Sequence, residues 1–503
     1  MELYQTLQSL VTSNNMSWKF LIPEYSLLFF FLLGLLIDLF FKNKKALTGL
    51  MIAGISFSGF LTFQQISSSA EIQQLFNGML VLSNKIIVFK LLITLVVCLF
   101  MIFASTDFRI KKQNTPEYFY LAPLFLIALN MLCMSAHMLT IYLSVEMVSL
   151  FSFGYVALSI KDKSNAESGM KYILFGLLAS ALLLYGISLM YGFAGTLSLQ
   201  DPNFLAWFAK APMPIIALSI GLIMAGFLFK IAAAPFHFYA PDVYQGTSAT
   251  TLVLLSVAPK IAGYALFANF LGFFSFKIFN QVLFWPMYNW ETFLSVIAIM
   301  TLIIGSFVAL SQTNIKRLMA YAGIAQSGFL LMGLIGYTSI GVVALLFYLL
   351  AYLLMNTAAF MLISYFEQQH EAYDLADYKG LVRKAPLASI LLVVVFASFI
   401  GLPPLVGFTG KFLLFSASYQ AYVASANPAI LITIFTAAIA SIVSLFYYFT
   451  IIRNMFMREA TWVKVNKEEQ SILYFLVLPL IVAIIYFGIL PSNIISYIQS
   501  IIA

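Results

Sequence analysis

The chain has 503 residues, of which 62% are hydrophobic and 9% charged, with a mean hydropathy of +0.98 and a formal net charge of +7. A soluble protein carries about 25% charged residues, so a water-soluble fold is excluded and an all-α polytopic membrane protein is predicted. Cys98 and Cys133, the two cysteines, sit inside apolar runs; they cannot form a CxxC pair, a zinc site or an iron–sulfur ligand set and are read as inert thiols.

A spanning helix takes about 20 apolar residues. About fourteen such stretches follow one another: 18–41, 46–66, 84–106, 117–136, 138–160, 166–192, 213–235, 248–270, 291–313, 318–336, 339–366, 386–424, 427–452 and 471–492. No long soluble segment fits between them. Met1 to Met16 lacks the basic region and cleavage site of a signal peptide, so the first span is expected to stay in the mature protein. The stretch 70–83 is read as a short interfacial helix. Fifty Phe and 27 Tyr suit lipid-facing surfaces and aromatic belts.

Basic residues set the orientation. Loops after odd-numbered spans hold Lys42, Lys44, Lys45, Arg109, Lys111, Lys112, Lys161, Lys163, Lys316, Arg317, Lys379, Arg383, Lys384, Arg453, Arg458, Lys464 and Lys467. The opposite side holds Lys19, Lys85, Lys210 and Lys277. By the positive-inside rule the first set is cytoplasmic. Both termini then lie outside.

Two spans are expected to be broken. The seventh runs into Ala232-Ala233-Ala234-Pro235, and the twelfth contains Gly401-Leu402-Pro403-Pro404 followed by Gly407 and Gly410. Proline removes a backbone donor and blocks the carbonyl one turn earlier, and freed backbone groups at membrane depth are tolerated only inside protein or beside water. The breaks fall five spans apart. A five-span unit contains an odd number of crossings, so its repeat must be inverted. The frame is a single membrane domain over 1–503: N-terminal helices in 1–116, a first repeat in 117–270, a second in 291–452 and a last helix in 471–503. Paired broken helices in corresponding halves point to an ion path; two unrelated proline kinks are the alternative.

Glu146, Lys171, Lys230, Lys260 and Lys411 stand alone in almost wholly apolar surroundings. A charge at the bilayer centre costs at least ~2.5–3.5 kcal/mol, so such residues normally face protein or an internal water path. Lys171 follows Ser164-Asn165-Ala166-Glu167, a capping-box form, and could also snorkel to the interface. Lys90 is read as a snorkelling lysine whose removal should have little effect. His237 and Asp242 follow the seventh-span break, and His237 is open between a proton shuttle and a helix cap. His137 and His370 are expected in loops and solvated. Glu24 and Asp38 in the first span are open between a subunit contact and a proton role. No dinucleotide fingerprint or HExxH occurs. Gly410-Lys411 fails as a phosphate-binding loop, because Leu405 and Phe412 occupy its Gly and Ser/Thr positions.

Ser144-Val145-Glu146-Met147-Val148-Ser149-Leu150, followed by Lys171-Tyr172, resembles the antiporter-like membrane subunits of respiratory complex I. So do Phe229-Lys230-Ile231-Ala232-Ala233-Ala234-Pro235-Phe236-His237 and Ala240-Pro241-Asp242-Val243-Tyr244-Gln245-Gly246. Ala258-Pro259-Lys260, Lys316-Arg317-Leu318-Met319-Ala320-Tyr321 and Gly407-Phe408-Thr409-Gly410-Lys411 complete the set. The motifs run in family order from about residue 115 to 420, each weak alone and specific together. Among the three such subunits, the chain is most similar to subunit N: it stops soon after the fourteenth span, has Lys411 where the middle subunit has Glu, and carries the Pro241–Gly246 wording.

The resemblance implies a proton-translocating subunit of an NADH:quinone oxidoreductase in a bacterial cytoplasmic (inner) membrane. Glu146, Lys171, Lys230, Lys260 and Lys411 would carry protons, with His237 as a possible shuttle and the order Lys230, Lys260, Lys411. It implies no cofactor in this chain, flavin and iron–sulfur clusters in partner subunits, quinone bound elsewhere in the complex, and neighbouring antiporter-like subunits as partners. No metal site and no nucleic-acid partner are implied. A carboxylate about 4 Å from a lysine contributes ~4 kcal/mol at an effective dielectric of 20, so separating Glu146 from Lys230 or Lys171 would change how firmly the lysine holds its proton. A subunit of a secondary sodium/proton antiporter complex is the alternative, and a scaffold that transports nothing is a third reading.

Overall fold

A computed structural model describes residues 14–41, 44–67, 72–107, 116–159, 163–201, 204, 210–276, 289–459 and 470–502. The basic loop residues Lys42, Arg109, Lys111, Lys112, Lys161, Lys277, Lys464 and Lys467, and most of the N-terminal segment before Met16, lie outside them.

The apolar stretches fold as helices: α1 (Ile22–Phe41), α2 (Lys44–Gln64), α3 (Asn84–Thr106), α4 (Glu117–Met134), α5 (Met138–Ser159), α6 (Lys163–Ala194) and α7 (Met213–Lys230). There follow α8 (Tyr239–Gly246), α9 (Ala249–Leu255), α10 (Ala258–Phe276), α11 (Trp290–Ala309), α12 (Ile315–Met332) and α13 (Ser339–His370). The chain continues through α14 (Pro386–Ile400), α15 (Val406–Ser425), α16 (Pro428–Met457), α17 (Gln470–Ile489) and α18 (Ser492–Ile502). Every predicted span is occupied by helix. Among the described residues, eleven segments are individually long and apolar enough to cross a membrane, and α17 with α18, bent by 84°, supply a twelfth. The predicted tenth and twelfth spans fall short for physical reasons. The tenth, α12, opens on Lys316 and Arg317, and the twelfth is divided between α14 and α15.

Caps fix several helix ends. Asn314 Oδ1 accepts from the Lys316 and Arg317 amides at 3.1 and 3.2 Å and starts α12. Asn427 accepts from Ala429 N–H at 3.1 Å, with Pro428 in the first turn of α16, where its missing N–H costs nothing. Gly401 ends α14 at φ +93°, a backbone region glycine enters without a Cβ clash.

The interfacial helix expected over 70–83 is not what forms. Gln73–Leu75 and Leu80–Leu82 pair antiparallel, with Gln73 opposite Leu82. Phe76, Asn77 and Gly78 all have positive φ, which a right-handed helix excludes. Asn77-Gly78 between apolar residues is a hairpin signal, and the apolar run around it obscured it.

The chain divides into two compact units. The first comprises Met1–Leu158, Leu174–Lys230 and Ala258–Tyr288; in it α3 packs on α2 and α4, and α10 packs on α3, α4 and α7. The second comprises Ser159–Ile173, Ile231–Val257 and Asn289–Ala503. Its centre is α13, which touches α9, α14, α15, α17 and α18. Beside it α11 and α12 approach closely because Gly305 faces Ala325 and Gly328 faces Leu302; small residues permit this where lipid gives helices no hydrophobic reason to associate.

Both expected helix breaks are present. After α7, residues 231–238 leave the helix, with Ala232 at φ +52° and a cis Ala234–Pro235 bond. Between α14 and α15, residues 401–405 do the same, with a cis Pro403–Pro404 bond. The freed backbone groups find side-chain partners within the second unit. Thr301 Oγ1 accepts from Ala234 N–H at 3.0 Å, and Ser327 Oγ donates to Ile231 O at 2.6 Å. Ser398 Oγ accepts from Gly407 N–H at 3.2 Å. This is how irregular backbone survives at membrane depth. A third interruption was not anticipated: Ser256 and Val257 separate α9 from α10 in the predicted eighth span, just ahead of Pro259.

Candidate functional site

Lys230 is the last residue of α7 and is 6% exposed. Its ammonium donates to Ser149 Oγ at 2.6 Å. Ser149 stands three residues after Glu146 on α5, so the two share a helix face. Among the described residues no carboxylate lies within the 4.0 Å of an ion pair with Lys230. Glu146 Oε1 is buried without a hydrogen-bond partner among the described residues. The Lys230 ammonium is thus met by a hydroxyl one turn along α5 from Glu146. A buried ammonium with a single neutral hydroxyl partner is weakly compensated: a hydrogen bond to a charged group contributes about 1.5–3 kcal/mol, against several kcal/mol for removing the ion from water.

Lys260 is 4% exposed in the first turn of α10 rather than deep within an unbroken helix. Lys411 is also 4% exposed. It turns back on the end of α14, donating to Phe399 O at 2.9 Å and Ile400 O at 3.0 Å. Its Nζ sits 4.6 Å from the Phe329 ring centroid, a cation–π contact. The lysine thus caps the carbonyls freed by the helix break. That coupling joins its charge to the shape of α14's end.

Lys171 departs from the expectation of a lone, buried charge. Its side chain is 40% exposed and pairs with Glu167 Oε1 and Asp242 Oδ2, both at 2.9 Å. Arg317 Nη1 holds the other Asp242 oxygen at 2.6 Å and also donates to Gln245 at 3.0 Å. Asp242 on α8 is therefore clamped between two cations, with the Tyr172 and Tyr239 rings stacked at 5.1 Å beside them. His237 is buried in the break, its Nδ1 without a hydrogen-bond partner and its backbone carbonyl accepting from Ala240 N–H at 3.0 Å. The cap at the start of α8 is thus made by the backbone of His237 and not by its imidazole.

Lys90 does not snorkel. It is fully buried and forms an ion pair with Glu24 at 2.8 Å, while Asn130 Nδ2 donates to the same Glu24 oxygen at 3.1 Å. A second buried pair joins Lys316 to Glu367 at 3.2 Å. Neither pair was legible in sequence, because the partners lie on different helices. The sequence did mark Ser149, Asp242 and Lys316-Arg317 as parts of motifs.

The comparisons with known proteins follow the same residues. The family model described as NADH:quinone oxidoreductase/Mrp antiporter, TM, matches residues 135–440, a range holding all the candidate lysines and Glu146. NADH-quinone oxidoreductase subunit N of Chlorobium chlorochromatii is 34% identical over 458 residues, covering 90% of this chain and 88% of that one. Subunit N 2 of Chloroherpeton thalassium is 32% identical over 500 residues, covering 96% and 94%. A chain of respiratory complex I from Thermus thermophilus superposes with a TM-score of 0.76 at 25% identity, over 94% of this chain and 99% of that one. A chain of the Mrp complex from Dietzia superposes at 0.79 with 19% identity, over 96% of each, a likeness of fold alone. The chain belongs to the NADH:quinone oxidoreductase/Mrp antiporter transmembrane family and, within it, to the NADH-quinone oxidoreductase N subunits.

Proposed function

We propose that this chain is a proton-translocating membrane subunit of an NADH:quinone oxidoreductase, with Glu146, Lys230, Lys260 and Lys411 as its proton-carrying groups. The observation that carries the reading is Lys230: a buried ammonium at a helix break, held among the described residues by Ser149 alone, with a Glu146 oxygen that has no hydrogen-bond partner among them on the same helix face. Such a group can give and take a proton without first breaking a contact ion pair. Lys171 joins the set as a partly exposed, ion-paired lysine, and His237 as a shuttle. The order Lys230, Lys260, Lys411 is what the family resemblance implies.

The chain works with other membrane subunits, including neighbouring antiporter-like ones. Flavin, iron–sulfur clusters and quinone belong to the rest of the assembly. It resides in a bacterial inner membrane with both termini outside. The inverted five-helix repeats and the division at 116, 270, 291, 452 and 471 belong to this proposal. The sodium/proton antiporter reading has weaker support, since the Mrp likeness is at 19% identity.

The test uses membrane vesicles, with NADH-driven electron transfer and acidification normalised to assembled complex. Lys230→Ala and Glu146→Gln are expected to lower both together by about 10²-fold, the lower end for a proton-transfer group. Glu146→Asp is expected to be milder. Near-normal pumping in both Lys230→Ala and Glu146→Gln removes the proton-carrier assignment.

A further inference from the structure

One buried ion pair has no part in that scheme. Lys316 on α12 and Glu367 on α13 lie 3.2 Å apart with side chains 8% and 1% exposed. Lys316 Nζ also donates to Thr247 O at 2.9 Å. From Glu367 back towards its N-terminus, α13 carries Ser364, Thr357, Asn356, Tyr352 and Tyr348, all buried. Ser364 Oγ lies 3.1 Å from Thr250 Oγ1. Asn356 donates to Ser256 Oγ at 2.6 Å and to the Tyr352 hydroxyl at 3.3 Å, and Tyr352 donates to Ser256 O at 3.1 Å. Tyr348 donates to Gln326 Oε1.

The file ends beside Lys411. The Tyr348 ring abuts Gly410, and its centroid is 6.4 Å from the Phe329 ring that underlies the Lys411 ammonium. Two further hydroxyls, Thr247 Oγ1 at its head and Thr357 Oγ1 midway, are buried without hydrogen-bond partners among the described residues. The step from Ser364 to Thr357 covers two helical turns, or about 10 Å. Stability alone does not account for the file. Interhelical hydrogen bonds in membranes add little over apolar packing, and a buried ion pair is often no better than apolar residues of similar volume.

We propose that Lys316 and Glu367 are a proton-loading pair and that the polar file along α13 passes protons from it to Lys411. This rests on the reading of Lys411 as a proton carrier. The Lys316 ammonium gives a proton to the Glu367 carboxylate beside it, the carboxyl releases that proton to the file, and the Lys411 amine gains it; Lys316 then takes a new proton from water. Each hydroxyl between them takes a proton on oxygen while giving its own forward, and a row of about three water molecules, ~2.8 Å apart, carries the proton across the Ser364–Thr357 step. Asn356 orients Ser256 and Tyr352.

The test uses the assembled complex in vesicles. Tyr348→Phe keeps the ring and removes one oxygen. Tyr348→Phe and Glu367→Gln are each expected to lower NADH-driven acidification per assembled complex by about tenfold or more, with Glu367→Asp restoring most of it. If Glu367→Gln fails to assemble, Lys316→Met with Glu367→Met fills the site with apolar volume; it is expected to assemble and pump poorly. Pumping within about twofold of wild type in Tyr348→Phe and in the Glu367 variant that assembles, with Lys411→Ala inactive, overturns the file and leaves the general reading intact. Normal pumping in Lys411→Ala overturns both.

Discussion

Glu24, Lys90 and Asn130 show how a charge read from its neighbours in sequence differs from one read in space. Lys90 lies near enough to a helix end to look like a snorkelling residue, yet it is fully buried against Glu24. Breaking a buried pair leaves an uncompensated charge and costs about 3–5 kcal/mol, whereas replacing both partners by apolar residues is near neutral. Glu24→Gln or Lys90→Met alone is therefore expected to destabilise the assembled subunit by that amount, and Glu24→Met with Lys90→Met to recover most of it. Thermal unfolding of the purified complex, followed on this subunit, measures the cycle. Equal losses in the single and paired variants would dismiss the pair as a structural unit. Lys230 and Lys411 differ from Lys90 in having no carboxylate in contact among the described residues. Local sequence does not distinguish the three. Each is a lysine in an apolar run, and only the arrival of a partner from another helix separates a neutralised charge from an available one.

At the scale of elements, the break between α14 and α15 is both a backbone device and part of the site. Gly401 sits at φ +93°, and a Cβ there would meet Lys411 Cδ at 3.2 Å. A left-handed conformation costs a residue with a side chain about 1–2 kcal/mol. Gly401→Ala is thus expected to lower stability by that amount and to weaken pumping by pushing on the lysine. Gly221→Ala in α7, where a Cβ meets nothing within 4 Å, is the matched control; replacing glycine in a helix interior there should stabilise by about 0.5–1 kcal/mol. Pumping and unfolding temperature of the two variants side by side decide it, and identical behaviour would separate Gly401 from Lys411. The two proline-marked breaks were readable because proline and glycine act locally on the backbone. The Ser256–Val257 interruption and the hairpin at 73–82 were not, because apolar periodicity masked the turn residues beneath it.

For the whole molecule, the asymmetry of basic residues gives an orientation that a reporter can check. Fusions after Lys384 are expected to read cytoplasmic and fusions at Ala503 external; the opposite pair of results would invert every transfer step proposed above. Composition and the lengths of apolar runs were sufficient for a helical membrane protein, because a bilayer admits few ways of satisfying a backbone. The motifs around Glu146, Lys230, Lys260 and Lys411 were sufficient for the family. Tertiary structure decided the pairing: Lys230 with Ser149, Lys90 with Glu24, Asp242 between Lys171 and Arg317, and Lys316 with Glu367. Burial can be read along one helix, but an electrostatic partner lies across a helix interface. Its identity depends on how helices distant in sequence are rotated against one another, which no local pattern specifies.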